Sequence, residues 1–526
     1  MLALIAVCFQ LKRDLMMLQQ NSYRDERYTR WMRESHESTN VNRLIGWVVF
    51  LAALLPMMPY PCAVGLMGAF SIWQAIRLAT AKHKKPLVFT NRAKRIYFTA
   101  LAVSVVGYAA AAAVLYSLIG AGFLGTLPLL DCACVYLIFV FCASTAVIRL
   151  ANWLLQPVER SINKKYYDEA ASILASMPDL KVVGVTGSYG KTSTKHFLER
   201  MLSEKYDVLM TPGNFNTTLG VVRTVREHMK PYNEVFIVEM GAKQRGDIKE
   251  ICDLVHPTVG IVTAVGPMHL ESFGSIENVQ STKFELIDAL PADGLAVVNN
   301  DFEYIANRPV DNAECLRYAV EADRPANYHA VDVKYSPSGT EFAIADDKGE
   351  VLRLRTGLVG ECNVSNLMAA AIVALRLGVE KEKIRYAVEK LEQVEHRLSI
   401  KRLPNGLTLI DDAYNSNPVG SKMALDVLAQ MDGGRRFVIT PGMIELGDDQ
   451  FKLNKQLGVH AAMSADVIII VGQYNHDAIM AGIEETKGKA QVLTAPTFDQ
   501  AQRMMLEIAK AGDTVLYEND LPDTFK

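Results

Sequence analysis

No two cysteines in this 526-residue chain stand in C-x-x-C spacing, and no histidine lies at metal-ligand spacing from one. The eight cysteines, at positions 8, 62, 132, 134, 142, 252, 315 and 362, fall mostly in or beside apolar runs, where a free thiol behaves as a small hydrophobe. That excludes a zinc-knuckle or disulfide-framework protein and leaves a reduced, cytosol-facing catalytic part as the expectation. An excess of either charge is missing as well: 55 Lys and Arg face 58 Asp and Glu, a net of −3. A protein that coats nucleic acid would be strongly basic, so nucleic acid is not expected as a partner. Polar low complexity is lacking too, since 50% of the residues are hydrophobic, and this excludes a disordered chain. Nor does a basic leader with a small-residue cleavage site open the sequence. Met1–Leu11 is apolar yet too short to span a bilayer, so it reads as an interfacial segment or a mis-called start.

Charge is also absent from three long stretches. Leu44–Ile76 (interrupted by Pro56, Pro59 and Pro61), Ile96–Gly120 and Cys132–Ile148 contain no charged residue. A helix needs about 20 apolar residues to cross a bilayer, and the first stretch is long enough for two short helices joined at the prolines. Basic residues cluster before it (Lys12, Arg13, Arg24, Arg27, Arg30, Arg33, Arg43) and after it (Arg77, Lys82, Lys84, Lys85, Arg92, Lys94, Arg95), while 121–128 has none. The positive-inside rule then gives about four spans, with both basic segments and everything after Arg149 cytoplasmic. The expected location is a multi-pass cell-membrane protein with cytoplasmic catalytic domains. Asp131 is the only acid near a span, and no intramembrane charge pair is visible, which argues against a transporter. The Arg- and Tyr-rich stretch Tyr23–Arg33 fits a lipid-headgroup surface, a docking helix or a solvated amphipathic helix.

Beyond a linker at 156–180, short β-branched runs alternate with helical stretches, the signature of a doubly wound parallel α/β sheet. Val182–Val185 reads as a strand, Gly187-Ser-Tyr-Gly-Lys-Thr192 as a turn, and the residues to about Met201 as a helix. Further strands are expected at 207–210, 235–239, 259–265 and 294–299, and later at 407–411, 436–440, 467–471 and 491–494. A glycine-bearing turn between strand and helix presents backbone N–H groups to phosphates. In that setting Gly187, Ser188, Tyr189 and Gly190 form the cradle, Lys191 reaches the terminal phosphates, and the Thr192 hydroxyl faces Mg²⁺. Strict Walker A spacing asks for glycine at 185, where this chain has valine. Glu239 ends the run Val-Phe-Ile-Val-Glu as a magnesium-binding acid would, although many strands end in an acid. His269 and Lys283, taken alone, read equally well as a structural histidine and an exposed helical lysine.

These segments together resemble the Mur ligase family, and within it the MurF type. The resemblance rests on Thr186-Gly-Ser-Tyr-Gly-Lys-Thr-Ser-Thr194, Gly213-Asn-Phe-Asn216, Glu239-Met-Gly241, His269-Leu-Glu271, Lys283-Phe-Glu285 and Asn299-Asn-Asp301. It continues through Gly360-Glu-Cys-Asn-Val-Ser-Asn366 (with Cys362 where the family carries histidine), Asp411-Asp-Ala-Tyr-Asn-Ser-Asn-Pro418 and Met443-Ile-Glu-Leu-Gly447, in the family's order. It implies a P-loop central domain at 181–393 and a Rossmann-like C-terminal domain at 394–526, after a helical transmembrane region at 1–155.

By the same resemblance, ATP is bound by the Gly187–Ser193 segment with Asn299, Arg397, Asp412 and Asn415. Mg²⁺ is held at Thr192, Glu239, His269 and Lys283, the last carbamylated in relatives. Asn214, Asn216 and Thr217 face the substrate, and Lys191, Glu239, His269 and Lys283 carry the catalysis. The activity implied is formation of an amide through an acyl phosphate, on a small-molecule or lipid-linked muropeptide and an amino acid or dipeptide. Two family features are missing: a UDP-substrate domain ahead of residue 180, and a Lys-Gly-Ser-Arg motif near the end. A membrane-bound poly-γ-glutamate synthetase remains an alternative, as do an ATP-driven transporter (which would need an L-S-G-G-Q-like signature) and a silent scaffold.

Overall fold

The computed structural model describes residues 1–37, 40–53, 60–81, 85–120, 129–336, 339–413, 416–431, 433–486 and 488–520. The chain divides into two compact units, Met1–Asn163 and Lys164–Asp520.

The first unit is helical. Its opening helix, Leu2–Gln20, incorporates Met1–Leu11, and Ala6, Leu11, Leu15 and Leu18 are buried in the unit's core. The segment expected as interfacial or as a mis-called start thus begins a helix that continues past Lys12 and Arg13, with Ala6 and Leu11 buried and Leu2, Leu4 and Ile5 exposed. Among the described residues two helices are long and apolar enough to cross a membrane, Pro61–Thr80 and Asn91–Val114. A third candidate is the pair Ala133–Cys142 and Ser144–Ala175, bent by 78°. Among the described residues there are thus two or three candidate spans where about four were expected. Val41–Ala53, the first half of the proline-interrupted stretch, has only 13 residues, or about 20 Å of helix against a hydrocarbon core of about 30 Å. Pro56, Pro59 and the 121–128 turn lie outside the described residues. In the Tyr23–Arg33 stretch, the helix Asp25–Glu34 is amphipathic, with Tyr28 and Trp31 buried.

Outside its candidate spans, this unit holds a buried charge cluster. Arg43 donates from Nη2 to both Asp14 carboxylate oxygens at 2.9 and 3.0 Å and from Nε to Glu37 at 3.1 Å. Arg13 grips Glu37 through two bonds of 2.6 and 2.9 Å. Arg43 Nη1 also donates to the Cys142 carbonyl at 3.0 Å and to Ser144 at 2.9 Å, which occupies a backbone group left orphaned where the bent pair breaks. Two cations and two carboxylates close on one another, so no charge is left buried alone.

The second unit is built on two sheets. The first has nine strands: β1 (Lys181–Thr186), β2 (Val208–Met210), β3 (Val235–Glu239), β4 (Val259–Val262), β5 (Leu295–Asn299), β6 (Glu314–Ala319), β7 (Tyr328–Ser336), β8 (Gly339–Asp346) and β9 (Gly349–Thr356). They lie in the order β2-β3-β1-β4-β5-β6-β7-β8-β9. Pairing is parallel from β2 to β7, and β7-β8-β9 form an antiparallel meander. Val182, Val183 and Val185 of β1 are buried because helices cover both faces of the sheet, which is why the strand is almost continuously apolar. Lys191–Leu202 and Glu361–Arg376 cover one face; Thr218–His228, Asp247–Val255 and Ile276–Asp288 cover the other.

The second sheet comprises β10 (Ser399–Arg402), β11 (Thr408–Asp412), β12 (Arg436–Thr440), β13 (Val467–Val471), β14 (Gln491–Ala495) and β15 (Thr514–Glu518), in the order β10-β11-β15-β12-β13-β14. It is parallel except for β10. The α/β class expected from the sequence is present in both sheets, while β6, the β7–β9 meander, β10 and β15 lie outside the strands expected. Of the segment expected as a linker, 156–175 is helical.

Candidate active site

In the first sheet the strand order reverses at β1, and ligands of such sheets sit beyond the carboxyl ends of the strands at that point. The turn Gly187–Gly190 is there. Gly187 and Gly190 have φ of 151° and 82°, and a Cβ on either would collide with Thr263 or Asn366, so a side chain is excluded at both. The turn is braced by Ser188, whose N–H donates to Ala264 O at 2.8 Å and whose hydroxyl donates to Gly266 O at 3.1 Å. Lys191 opens the following helix and folds back, its Nζ donating to the Gly187 carbonyl at 2.7 Å and the Ser188 carbonyl at 3.3 Å. Burial pushes its ammonium down to about 8, helped by Arg397 and opposed by Glu239.

Glu239 ends β3 next to β1 and is buried. One carboxylate oxygen lies 3.1 Å from Lys195 Nζ, and the other accepts from the Asn216 amide at 3.1 Å. Burial raises the carboxyl, but Lys195, Lys191 and the Asn216 amide outweigh it and hold Glu239 below its ordinary range. Lys195 itself is fully buried and also donates to the Thr211 and Gly213 carbonyls at 2.9 and 2.6 Å. The sequence reading missed this lysine. The available signal was its position one helical turn after Lys191, on the face that looks toward the strand-end acid.

His269 follows β4 in left-handed backbone, φ 53°, and its Nδ1 is hydrogen-bonded to Glu445, which also lies 3.4 Å from Lys243 Nζ. Burial lowers the imidazole despite Glu445, and Glu445 is held at about 2 because His269 and Lys243 overcome its own burial. Lys283, in the helix Ile276–Asp288, is buried rather than exposed. Desolvation brings its amine down to about 7, with Lys191 pushing the same way.

A cavity of about 110 Å³ is lined by Tyr189, Gly190, Ser193, Arg397 and Asp412 among others, so these expected nucleotide contacts from both sheets' domains meet at one place. Asp412 is raised to about 6 by burial, against Arg397 and the Leu398 N–H that bonds it at 3.0 Å. Asn299 does not open into this cavity. It donates to Thr263 O at 3.0 Å and to Ser365 at 2.9 Å, and accepts from Asp301 N–H, as a brace between strands would. Asn415 lies outside the described residues. A larger cavity of about 680 Å³ adjoins Thr192 and is lined by His196, Asn214, Glu395, His396 and Arg397. Of the three expected substrate contacts only Asn214 faces it. Asn216 turns to Glu239, and Thr217 caps the helix Thr218–His228 by accepting from Gly220 N–H at 3.3 Å.

Among the described residues no three His, Cys, Asp or Glu side chains converge as a metal cage. Magnesium that arrives with a nucleotide takes one or two carboxylates and phosphate oxygens, so no cage is required. Glu239 is held ionised and its oxygens each keep a further lone pair, which fits a carboxylate ligand of such an ion.

Residues 185–374 match the Mur ligase middle domain, and 396–517 match the Mur ligase glutamate ligase domain. The UDP-N-acetylmuramoyl-tripeptide–D-alanyl-D-alanine ligases of Bacillus subtilis, Escherichia coli and Mycobacterium tuberculosis are 32%, 31% and 33% identical over 56%, 59% and 66% of this chain. The chain spans 62%, 68% and 71% of their respective lengths, so it falls short of two thirds of the Bacillus relative. Crystal structures of MurF from Acinetobacter baumannii and of MurF ligase from Thermotoga maritima in complex with ADP superpose with a TM-score of 0.61 each. They are 26% and 25% identical, over 68% of this chain and 77% and 80% of theirs. On that extent of shared sequence and fold, the chain belongs to the Mur ligase family.

Proposed function

We propose that this protein is an ATP-dependent ligase of the MurF type, held at a membrane, that joins an amino acid or dipeptide to the carboxylate of a cell-wall muropeptide. The observation that carries the reading is the Gly187–Thr192 turn at the sheet's switch point, with Lys191 at its end and an ionised Glu239 on the adjacent strand. A carboxylate is a poor electrophile at neutral pH. Its oxygen attacks the γ-phosphorus of ATP, the bond to ADP breaks, and an acyl phosphate forms. The amine lone pair then attacks the acyl carbon, a proton is lost, and phosphate leaves with its bonding pair, leaving the amide.

The chain's residues bind and orient these partners. The N–H groups of the turn and Lys191, released from the Gly187 and Ser188 carbonyls, hold the phosphates. Arg397 and Asp412 approach the same cavity from the second sheet's domain, so docking of that domain completes the site and excludes water. Thr192, Glu239 and His269 would hold magnesium, which would neutralise phosphate charge when bound. Carbamylation of Lys283 belongs to the same reading. An amine brought to about 7 by burial is substantially unprotonated at neutral pH, as addition to carbon dioxide requires. Helices Pro61–Thr80 and Asn91–Val114 support a membrane-bound chain with cytoplasmic catalytic domains, for which a lipid-linked muropeptide is a suitable acceptor beside the UDP-linked one of the relatives' name.

The test is phosphate release and product mass for detergent-solubilised full-length protein, given Mg·ATP, UDP-linked or lipid-linked muropeptide, and D-alanyl-D-alanine or single amino acids. An amide product from a muropeptide, abolished in Lys191→Ala, is expected. Turnover with glutamate alone, or none with any muropeptide, would overturn the assignment.

A further inference from the structure

We propose that Glu445 is a positioning residue: it fastens the second sheet's domain to His269 and thereby sets the imidazole that faces the nucleotide's magnesium. The inference rests on the function proposed above and gives a role to the Met443-Ile-Glu-Leu-Gly447 segment, which the nucleotide site itself leaves unused.

The segment leaves β12 and is pinned from its own domain. Met443 N–H donates to the Asn454 side chain at 2.8 Å, and Leu446 N–H donates to Gln450 at 3.2 Å. Between them Glu445 is held at φ 61°, in the left-handed region that a side-chain-bearing residue seldom adopts. Opposite stands His269 at φ 53°, also left-handed, at the start of the short turn of helix Leu270–Phe273. Two strained residues from different domains therefore meet side chain to side chain. Such strain persists where the surroundings enforce it, and it gathers at functional sites.

The contact has three parts. Glu445 is hydrogen-bonded through one oxygen to His269 Nδ1 and lies through the other 3.4 Å from Lys243 Nζ. Its backbone carbonyl accepts from Glu271 N–H at 3.4 Å. An imidazole bonded at Nδ1 to a carboxylate has its tautomer and ring plane set, which leaves Nε2 as the lone-pair donor in a fixed direction. Because the carboxylate comes from the other domain, His269 is oriented only while that domain is docked. Docking and completion of the metal-facing side are then one event.

Glu445→Ala and the milder Glu445→Gln, in full-length detergent-solubilised protein, test this with two readouts. Amide hydrogen exchange without nucleotide reports docking. In Glu445→Ala, residues 266–274 and the interdomain segment 390–398 exchange roughly tenfold faster than in the parent, with the rest of both sheets unchanged. Turnover reports orientation: the magnesium concentration for half-maximal rate rises roughly tenfold to a hundredfold, as loss of a partner to a metal-bound histidine does, while KM for the amine stays within about twofold. Glu445→Gln, which keeps a hydrogen-bonding group, falls between parent and alanine on both. Parent-like exchange at 266–274 together with an unchanged magnesium requirement in Glu445→Ala refutes the proposal. Where the alanine variant does not fold, the same two results in Glu445→Gln refute it equally. A parent that binds no Mg·ATP refutes the nucleotide reading instead, and the nucleotide-free exchange still tests Glu445 on its own.

Discussion

Replacing Lys195 with methionine is the most telling perturbation of this site. Its side chain is fully buried, Glu239 opposite it is 2% exposed, and their charged atoms lie 3.1 Å apart. The same ammonium satisfies the Thr211 and Gly213 carbonyls. Lys195→Met therefore strands a buried carboxylate and two carbonyls at once. Removing one partner of a buried ion pair costs about 3–5 kcal/mol, and a domain of this size loses roughly 2–4 °C of Tm for each kcal/mol. A fall of at least about 6 °C is expected in detergent, read by intrinsic fluorescence. The double variant Lys195→Met with Glu239→Gln removes the stranded charge and should recover at least about 2 kcal/mol relative to the sum of the single losses. If Lys195→Met unfolds within about 1 kcal/mol of the parent, or if the double variant loses the plain sum, the two residues are not a coupled unit.

Three further outcomes follow from the structure. Glu518, in the middle of the second sheet, is buried and raised to about 7 from an ordinary 4.5, with Thr440 donating to it at 3.0 Å. Between pH 4.5 and 7 the folded chain holds a proton that the unfolded chain has released, so this group costs stability as pH rises through that window, and the cost is complete above 7. Glu518→Gln should match the parent in denaturant unfolding at pH 4 and exceed it by up to about 3 kcal/mol at pH 8; an equal difference at both values refutes the assignment. Arg43→Ala takes from the buried Asp14 its 2.9 Å partner, leaving it only the cation of Arg13 at 3.4 Å while Glu37 keeps Arg13, and should cost on the order of 3 kcal/mol in the Met1–Asn163 unit, seen as earlier thermal aggregation in detergent; an unchanged midpoint contradicts it. Gly190→Ala forces a Cβ toward Asn366 in left-handed backbone and should abolish Mg·ATP binding by calorimetry while the protein stays folded; retained affinity would show that the turn does not cradle phosphate.

Some of this was legible in the residues. A glycine-bearing turn between a strand and a helix is made of consecutive residues, so Gly187–Thr192 announced both its position and its shape. Most of the parallel strands were equally plain, being β-branched runs buried on both sides, and β12 and β13 fall where expected, although the parallel strands β6 and β15 were not foreseen. The meander β7–β9 was not, because its half-exposed strands mix polar and apolar residues without a clean alternation. Thr217 and Asn216 sit in a recognisable segment, yet their side chains serve as a helix cap and a carboxylate partner, and local spacing does not encode that choice.

The sequence by itself determined the class of the Lys164–Asp520 unit, the phosphate turn and the uncharged stretches of the first unit, since each depends on neighbours within a few residues. Only the tertiary structure decided which charges are buried and with whom. Arg43 read as a basic flank until Asp14 and Glu37 enclosed it, Lys195 drew no notice until Glu239 faced it, and Glu445 read as part of a motif until His269 met it from 176 residues away. A charge costs or contributes according to the solvent it loses and the partner it gains, and both are set by the packing of distant segments.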